Sequence, residues 1–568
     1  MMLLERLIFP KSNVEHKNMF FRGNDSSLIS KEGSLSFDTY YNSFSYTKYC
    51  DYTNARDVTF KADFSGRANV QLCVYDGEEH IISECEAGGT VEITIPFEGL
   101  PKNGFLYPKF TALTDCEIYN GGYYSDCSSR EINCCIAICT YKREQFVLKN
   151  IEFLRNSKLS FVNRVFVIDN GQTLDFDGLS DGFINVLPNK NYGGSGGFTR
   201  GLIEAYDGGF SHVILMDDDI EFYPEIIERM TIFLSILKGQ HSKVHISTAM
   251  LPTGNPYFQY EAGAKWNGKY IQHLGHNIDT NDRDDLLKNL SNPMPDYGAW
   301  WCFCLPVSDI EKNNLPYPFF IKIDDAEYGV RNLAEGDIVT MNGIAVYHED
   351  FNKKYSIHLE YYNIRNQLVF NAVHQKNSFF TAIYRLIASG MKHLMLYRYD
   401  AMPLIFKAAD DFLKGTDFFI NAEDDKLNSE IMKMGLKTIP LESIKEWNTG
   451  KCVFPIQKNG MKLNLLLVLT LGGHLIPYPF MKKDIVCKPL PEIEPRDCLG
   501  FKKTIQYQCG SPEGLVFERN CRKFFKYFGK LLCVIIKTAF KYSKVKKDYC
   551  TNKSRITSMD FWKKRLGI

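Results

Sequence analysis

The sequence predicts an α/β chain built around a mainly parallel sheet domain over residues 131–371. A β-sandwich over 1–130 precedes it, and a helical region with a basic tail over 372–568 follows. Three observations carry this. In the front, short apolar runs alternate or nearly alternate, as in "ANVQLCVYD" (Ala68–Asp76) and "TVEITIPF" (Thr90–Phe97), with turn signals at "DGEE" and "AGG" between them. From Ile132 the near-continuous apolar strands "INCCIAICTY", "RVFVIDNG", "FINVLPN" and "HVILMDDD" take turns with helical stretches at Gln145–Asn156, Phe198–Tyr206 and Pro224–Leu237. Strands of that kind belong to a parallel sheet covered on both faces. From Tyr361 onward the apolar residues are spaced as on helix faces, with Lys, Arg and His between them.

The bulk numbers bound the function. A chain of 568 residues exceeds one ordinary core, so several domains are expected. It is 45% hydrophobic and 24% charged with a formal net charge of zero, which argues against a dedicated nucleic-acid binder, although neutrality can hide a local patch. The N-terminal "MMLLERLIFP" is broken by Glu5 and Arg6 and lacks the apolar core of an export signal. The apolar stretch from Leu463, "LNLLLVLTLGGHLIPYPF", is interrupted by glycines, a histidine and prolines, so no span of about eighteen apolar residues is expected. Without export, the 17 cysteines are read as reduced thiols, with Cys134, Cys135, Cys302 and Cys304 as small buried packing residues. The last fifty residues carry 15 Lys/Arg against two aspartates. They form either a solvated tail with one packed helix or a patch that adheres to an anionic membrane surface, where each lysine contributes about 1 kcal/mol.

The chemistry should gather at the carboxyl ends of the parallel strands. One strand ends in three aspartates, Asp217, Asp218 and Asp219. Strand alternation puts Asp217 and Asp219 on one side, which suits a hard divalent cation such as Mg²⁺ or Mn²⁺; the alternative is a solvated acidic turn. The run "NKNYGGSGGFTRG" (Asn189–Gly201) spells neither a Walker loop nor a dinucleotide fingerprint. It is expected to form a site loop ahead of a helix. The adjacent Trp300 and Trp301 are either core or a surface for sugar rings. "FFIKIDDAEYGVRN" ends an apolar run in Asp324 and Asp325, where one carboxylate could orient a substrate and the other take a proton, or both could cap a helix. His348, at the end of "IVTMNGIAVYH", is structural or completes an oxygen-and-nitrogen metal site.

Taken in order, these segments resemble a family 2, GT-A-type glycosyltransferase, and in particular the bacterial galactofuranosyltransferases that build galactan chains. The resemblance rests on "CTYKR" (Cys139–Arg143), "VIDNG" (Val167–Gly171), "NYGGSGGFTRG" (Asn191–Gly201), "MDDDI" (Met216–Ile220), Trp300–Trp301, "IDDAEYGVR" (Ile323–Arg331) and "YHED" (Tyr347–Asp350), over about Ile132 to Asn371. It implies that Asp217, Asp219 and His348 hold Mn²⁺ or Mg²⁺ on the diphosphate of UDP-galactofuranose. Asp325 would be the general base and Asp324 would assist acceptor placement. Trp300 and Trp301 would shape the sugar sites, while Thr140, Arg143, Asn170, Arg200 and Asp218 would line the nucleotide. The acceptor implied is a glycan or glycolipid at the cytoplasmic face of the bacterial plasma membrane, with the protein peripheral there and assembly into a homo-oligomer left open. Ile323 stands where those polymerases lead one to expect an aromatic residue, which leaves acceptor and linkage open. Two other readings compete: a family 2 enzyme using UDP-galactopyranose or dTDP-rhamnose, and an inactive carbohydrate-binding scaffold on the same fold.

Overall fold

In the front domain, strands Met2–Arg6, Cys116–Ser125, Asp57–Tyr75, Phe105–Ala112 and Ser34–Ser36 follow one another along a single antiparallel hydrogen-bonded path. Glu79–Pro96 lies along Asp57–Tyr75, and Leu28–Ile29 pairs with Cys116–Ser125. The computed structural model describes residues 1–568 except 11–15, 25, 158, 269, 311–313, 333–335, 351–355, 446, 448–451 and 455–459. Asp57–Tyr75 is long enough to serve two partners, Cys116–Ser125 with its first half and Phe105–Ala112 with its second. Its register shifts between Asp63 and Arg67, where Gly66 has φ +72° and a Cβ would collide with the Asp115 carbonyl. Such a bulge bends the strand from one partner to the next. "AGG", expected to be a turn, lies inside the strand Glu79–Pro96 opposite this bulge; a pair of glycines is tolerated there because the facing register is already irregular.

The chain divides into two compact units. The first comprises Met1–Pro316, Asp325–Glu349 and Lys563–Ile568, and so contains the front domain and the α/β sheet. That sheet has seven strands in the order Ile184–Pro188, Val162–Asp169, Cys134–Thr140, His212–Asp217, Cys302–Pro306, His245–Ser247, Ile338–Val339. All run parallel except Cys302–Pro306, which is antiparallel to both neighbours. Every residue of Cys134–Thr140 and of Cys302–Pro306 is buried, which explains their unbroken apolar run. Cys134, Cys135, Cys302 and Cys304 are free thiols within this core. The front domain is tied to the sheet domain by a buried ion pair between Glu5 and Arg229 at 3.3 Å, and Arg229 also donates to the carbonyls of Arg6 and Gly343.

The second unit comprises Tyr317–Asp324 and Asp350–Trp562. Helices Leu359–His374, Ser378–Met395, Met402–Phe412 and Cys521–Thr551 pack on one another, as the helical reading expects. It also contains a five-stranded sheet that the sequence did not announce, ordered Ile439–Pro440, Glu513–Glu518, Phe501–Tyr507, Lys482–Pro489, Cys452–Val453. Its core is Leu441, Ile444, Ile485, Cys487 and Ile505. Buried Arg398 bonds Gln506 and the Leu490 carbonyl, fastening the sheet to the end of a helix.

Candidate active site

Cys134–Thr140 and His212–Asp217 are parallel neighbours with Asp217 opposite Cys139, so Thr140 and the aspartate triplet share one sheet edge. The reversed strand Cys302–Pro306 begins at that same edge. There the Trp301 carbonyl accepts the Asp217 N–H at 3.0 Å.

The three aspartates part company. Asp218 turns inward and is 4% exposed; it accepts from the Thr140 hydroxyl at 2.7 Å and from Arg143 Nη1 at 3.1 Å. Asn150 fixes its main chain by donating to the Asp218 carbonyl at 2.8 Å. Burial raises the Asp218 carboxyl above its usual range, against the pull of Arg143 and Thr140. The same Arg143 Nη1 lies 2.8 Å from Asp219. Burial by itself would lower the Arg143 pKa, but Asp218, Asp219 and Asp217 together outweigh it and hold the guanidinium charged. Arg143 is thus shared between Asp218 and Asp219, which relieves the repulsion within the triplet.

Asp219 also converges with Asp217 on His348. Nε2 of the imidazole is 3.3 Å from Asp219 Oδ1 and 4.0 Å from Asp217 Oδ2, and one donor atom from each residue lies within 4.8 Å of the others. His348 arrives on the strand Ala345–His348, parallel to Ala249–Pro252. A pair of backbone bonds between Glu221 and Tyr347 pins that strand to the chain just past the triplet. His348 Nδ1 faces the Glu349 carbonyl at 2.6 Å; donating there leaves Nε2 with its lone pair toward the carboxylates. Two carboxylates and an oriented imidazole suit a divalent cation, so the residues fit such an ion.

The glycine-rich run corrects the expectation of a loop. Gly193–Asp207 is helical, beginning two residues into "NYGGSGGFTRG". A Cβ on Gly197 would overlap the Cys139 sulfur, and one on Gly201 would come within 2.5 Å of Ala137 Cβ. Tertiary packing of helix on strand requires these glycines and overrides their poor helix propensity. Asn170 stands where the helix starts, donating to the Gly193 carbonyl at 2.9 Å and accepting from Asn189 at 2.8 Å. Arg200 lies on the same helix in an ion pair with Glu204 at 2.6 Å.

Trp300 and Trp301 are buried, at 4% and 5% exposure. Trp300 meets Phe198 and Tyr328 edge-on, and Trp301 Nε1 donates to the Thr248 carbonyl at 3.2 Å. Asp324 and Asp325 open the helix Asp324–Asn332, Asp324 as the last residue of a second-unit segment and Asp325 as the first of the following first-unit segment. Asp325 Oδ1 accepts the Ala326 N–H at 2.7 Å. Glu327 is fully buried and bonds Arg331 through both oxygens, a structural commitment that separates it from the acid pair.

Two groups escaped the sequence reading. Glu261 is a buried acid bonded to His273, and burial together with the charges of Glu261 and Asp325 pushes the Tyr297 hydroxyl far above its usual value. An isolated glutamate in "YFQYEAG" carries no local signal. Arg365 and Asn366, in the middle of a helix, reach back to the turn before the acid pair. Only the folded chain shows that proximity.

Comparison with known families adds two matches. Residues 5–126 match the family "Galactofuranosyltransferase 2 N-terminal", and residues 135–235 match "Glycosyl transferase family 2". Residues 135–235 thus carry a family 2 glycosyltransferase domain. The transferase is similar to the galactofuranosyltransferase GlfT2 of Mycolicibacterium smegmatis, 23% identical over 99% of this chain and 93% of that one. It is also similar to GlfT2 of Mycobacterium tuberculosis, 25% identical over 71% of this chain and 68% of that one. The second family match covers Thr140, Arg143, Asn170, the glycine-rich helix and all three aspartates of the transferase.

Proposed function

We propose that this transferase moves galactofuranose from UDP-galactofuranose to a hydroxyl of a lipid-linked cell-surface glycan, with inversion. Mn²⁺ or Mg²⁺ would be held by Asp217, Asp219 and His348. The observation that carries the proposal is the convergence of those three side chains beside the Arg143–Asp218 pair. The names of the relatives support the choice of sugar. The ion, when bound, would supply positive charge for the departing diphosphate. Arg143, held at the edge by Asp218 and Asp219, adds a fixed charge to the same region, and Thr140 and Asn170 keep the edge in shape. Arg200 lies about two helical turns along from Gly193, where Asn170 anchors the helix. Asp325 takes the proton of the acceptor hydroxyl as its oxygen attacks the anomeric carbon. The bond to UDP breaks as the glycosidic bond forms, on the opposite face. Asp324 orients the acceptor, and Trp300 and Trp301 back the sugar sites. A donor panel tests this: turnover with UDP-galactopyranose or dTDP-rhamnose and none with UDP-galactofuranose overturns it.

The proposed workplace is the cytoplasmic membrane face, with the protein bound peripherally. Among the described residues no helix is long and apolar enough to cross a membrane. The basic segment is one helix, Cys521–Thr551, packed along its length through Phe524, Leu531, Tyr542 and Val545. Its outward side shows an apolar stripe, Phe525, Leu532, Ile536 and Phe540, the last 86% exposed. Lys526, Lys530, Lys537 and Lys541 run beside that stripe. Helix Met461–Leu469 leaves Leu465, Val468 and Leu469 largely exposed. Exposed apolar side chains flanked by lysines suit the interface of an anionic bilayer. Ile536→Ser with Phe540→Ser should weaken flotation with anionic vesicles while turnover on a water-soluble acceptor is kept; unchanged flotation removes this part of the proposal.

A further inference from the structure

The turn that delivers the acid pair is strained. Phe320, Lys322 and Ile323 have φ of +71°, +71° and +70°, and the helix begins at the next residue, Asp324. Left-handed backbone is costly for any residue with a Cβ, and most so for a β-branched one such as Ile323. No glycine eases the turn. A conformation its own residues disfavour persists only where the surroundings impose it.

The imposing groups are on the helix Leu359–His374. Asn366 Nδ2 donates to the carbonyls of Ile321 at 2.9 Å and Lys322 at 2.8 Å, with a longer approach to Phe319 at 3.4 Å. Arg365 Nη2 donates to the Phe319 carbonyl at 2.6 Å, and its Nε donates to Asn366 Oδ1 at 2.9 Å, which fixes which way the amide faces. Both side chains are buried, at 0% and 1% exposure. The guanidinium is itself wedged among four aromatic rings, those of Tyr361, Tyr362, Phe418 and Phe419, at 5.2 to 5.3 Å. Each amide hydrogen of Asn366 therefore has one principal carbonyl on the strained turn.

We infer that Asn366, oriented by Arg365, is a positioning residue for transfer: by holding the carbonyls of Ile321 and Lys322 it sets where Asp324 and Asp325 leave the turn. The inference rests on the reading of Asp325 as the base. Asn366 touches no substrate; it acts through the backbone that carries the acids.

Asn366→Asp tests it, since the side chain keeps its shape and loses both donors. The expected result is a fall in kcat of about a hundredfold, the effect of displacing a reacting group by about 1 Å, with UDP affinity within about twofold of the parent. Combined with Asp325→Asn, Asn366→Asp should slow the residual reaction no further, because both changes act on one step. Thermal unfolding shows whether the variant is folded; if it is not, Asn366→Ser, which keeps a single shorter donor, replaces it. A folded variant with kcat within about threefold of the parent overturns the inference, as does a loss of UDP affinity matching the loss of kcat. Should Asp325→Asn alone retain full turnover, the base assignment fails instead, and that outcome is distinct.

Discussion

The Tyr192 hydroxyl donates to the Arg565 carbonyl at 2.6 Å, and the Arg565 guanidinium stands 5.0 Å from the centre of the Tyr192 ring. Tyr192 immediately precedes the glycine-rich helix, and Lys563 reaches Asp207 at its far end at 2.7 Å. The final residues of the chain therefore brace both ends of that helix. Tyr192→Phe should cost about 1 kcal/mol in urea unfolding, the worth of one hydrogen bond. Deleting Lys563–Ile568 should cost more, and equal stabilities would show the brace to be slack.

Replacing Asp219 or His348 by Ala should weaken Mn²⁺ binding about tenfold or more in calorimetric titration. UDP affinity should fall correspondingly with Mn²⁺ present and be unchanged in EDTA. Unaltered Mn²⁺ affinity in both variants would place the ion elsewhere.

Gly201→Ala should destabilise the protein by about 1–3 kcal/mol, because its methyl must displace Ala137 from a closed contact. Gly182→Ala is the matched control, since a Cβ there meets nothing within 4 Å and its φ is ordinary. Equal effects in denaturant melts would mean that packing does not select the glycines.

His212 begins the strand that ends in the triplet, and burial, with Arg130 and His245 nearby, lowers its pKa from 6.5 to about 4. His474 is lowered to about 4 as well, by burial and then Arg519, against its bond to the Leu471 carbonyl. Below pH 6.5 the unfolded chain takes up protons that the folded one refuses. The stability these groups contribute is present above 6.5 and is lost as the pH falls toward 4, at up to about 1.4 kcal/mol per unit for each. His212→Gln should flatten that slope in unfolding measured from pH 4 to 7.

The parts of the molecule open to sequence reasoning are those whose signal is local. Asp217 and Asp219 could be paired because strand alternation separates them from Asp218, and His348 because it also ends an apolar strand. What Asp218 does was not readable: its partner Arg143 lies on another strand's connection, and nothing in "MDDDI" tells which carboxylate turns inward. The glycine run misled because propensity describes a free helix, whereas Gly197 and Gly201 answer to Cys139 and Ala137. The second sheet stayed hidden since "KKDIVCKP" and "FKKTIQY" place lysines along their strands and blur the alternation. Arg365 and Asn366 look like ordinary helix residues until the turn at Phe319–Ile323 is brought against them.

The two bonds between Glu221 and Tyr347 have a consequence in time as well as in space. They join the segment just past the triplet to one made more than a hundred residues later, so a chain emerging from the ribosome holds its carboxylates long before it holds its imidazole. Until His348 has been synthesised and its strand has docked, the acidic corner is only an acidic corner. The corner is therefore finished only when His348 has docked, and the first unit only when Lys563–Ile568 have been made as well.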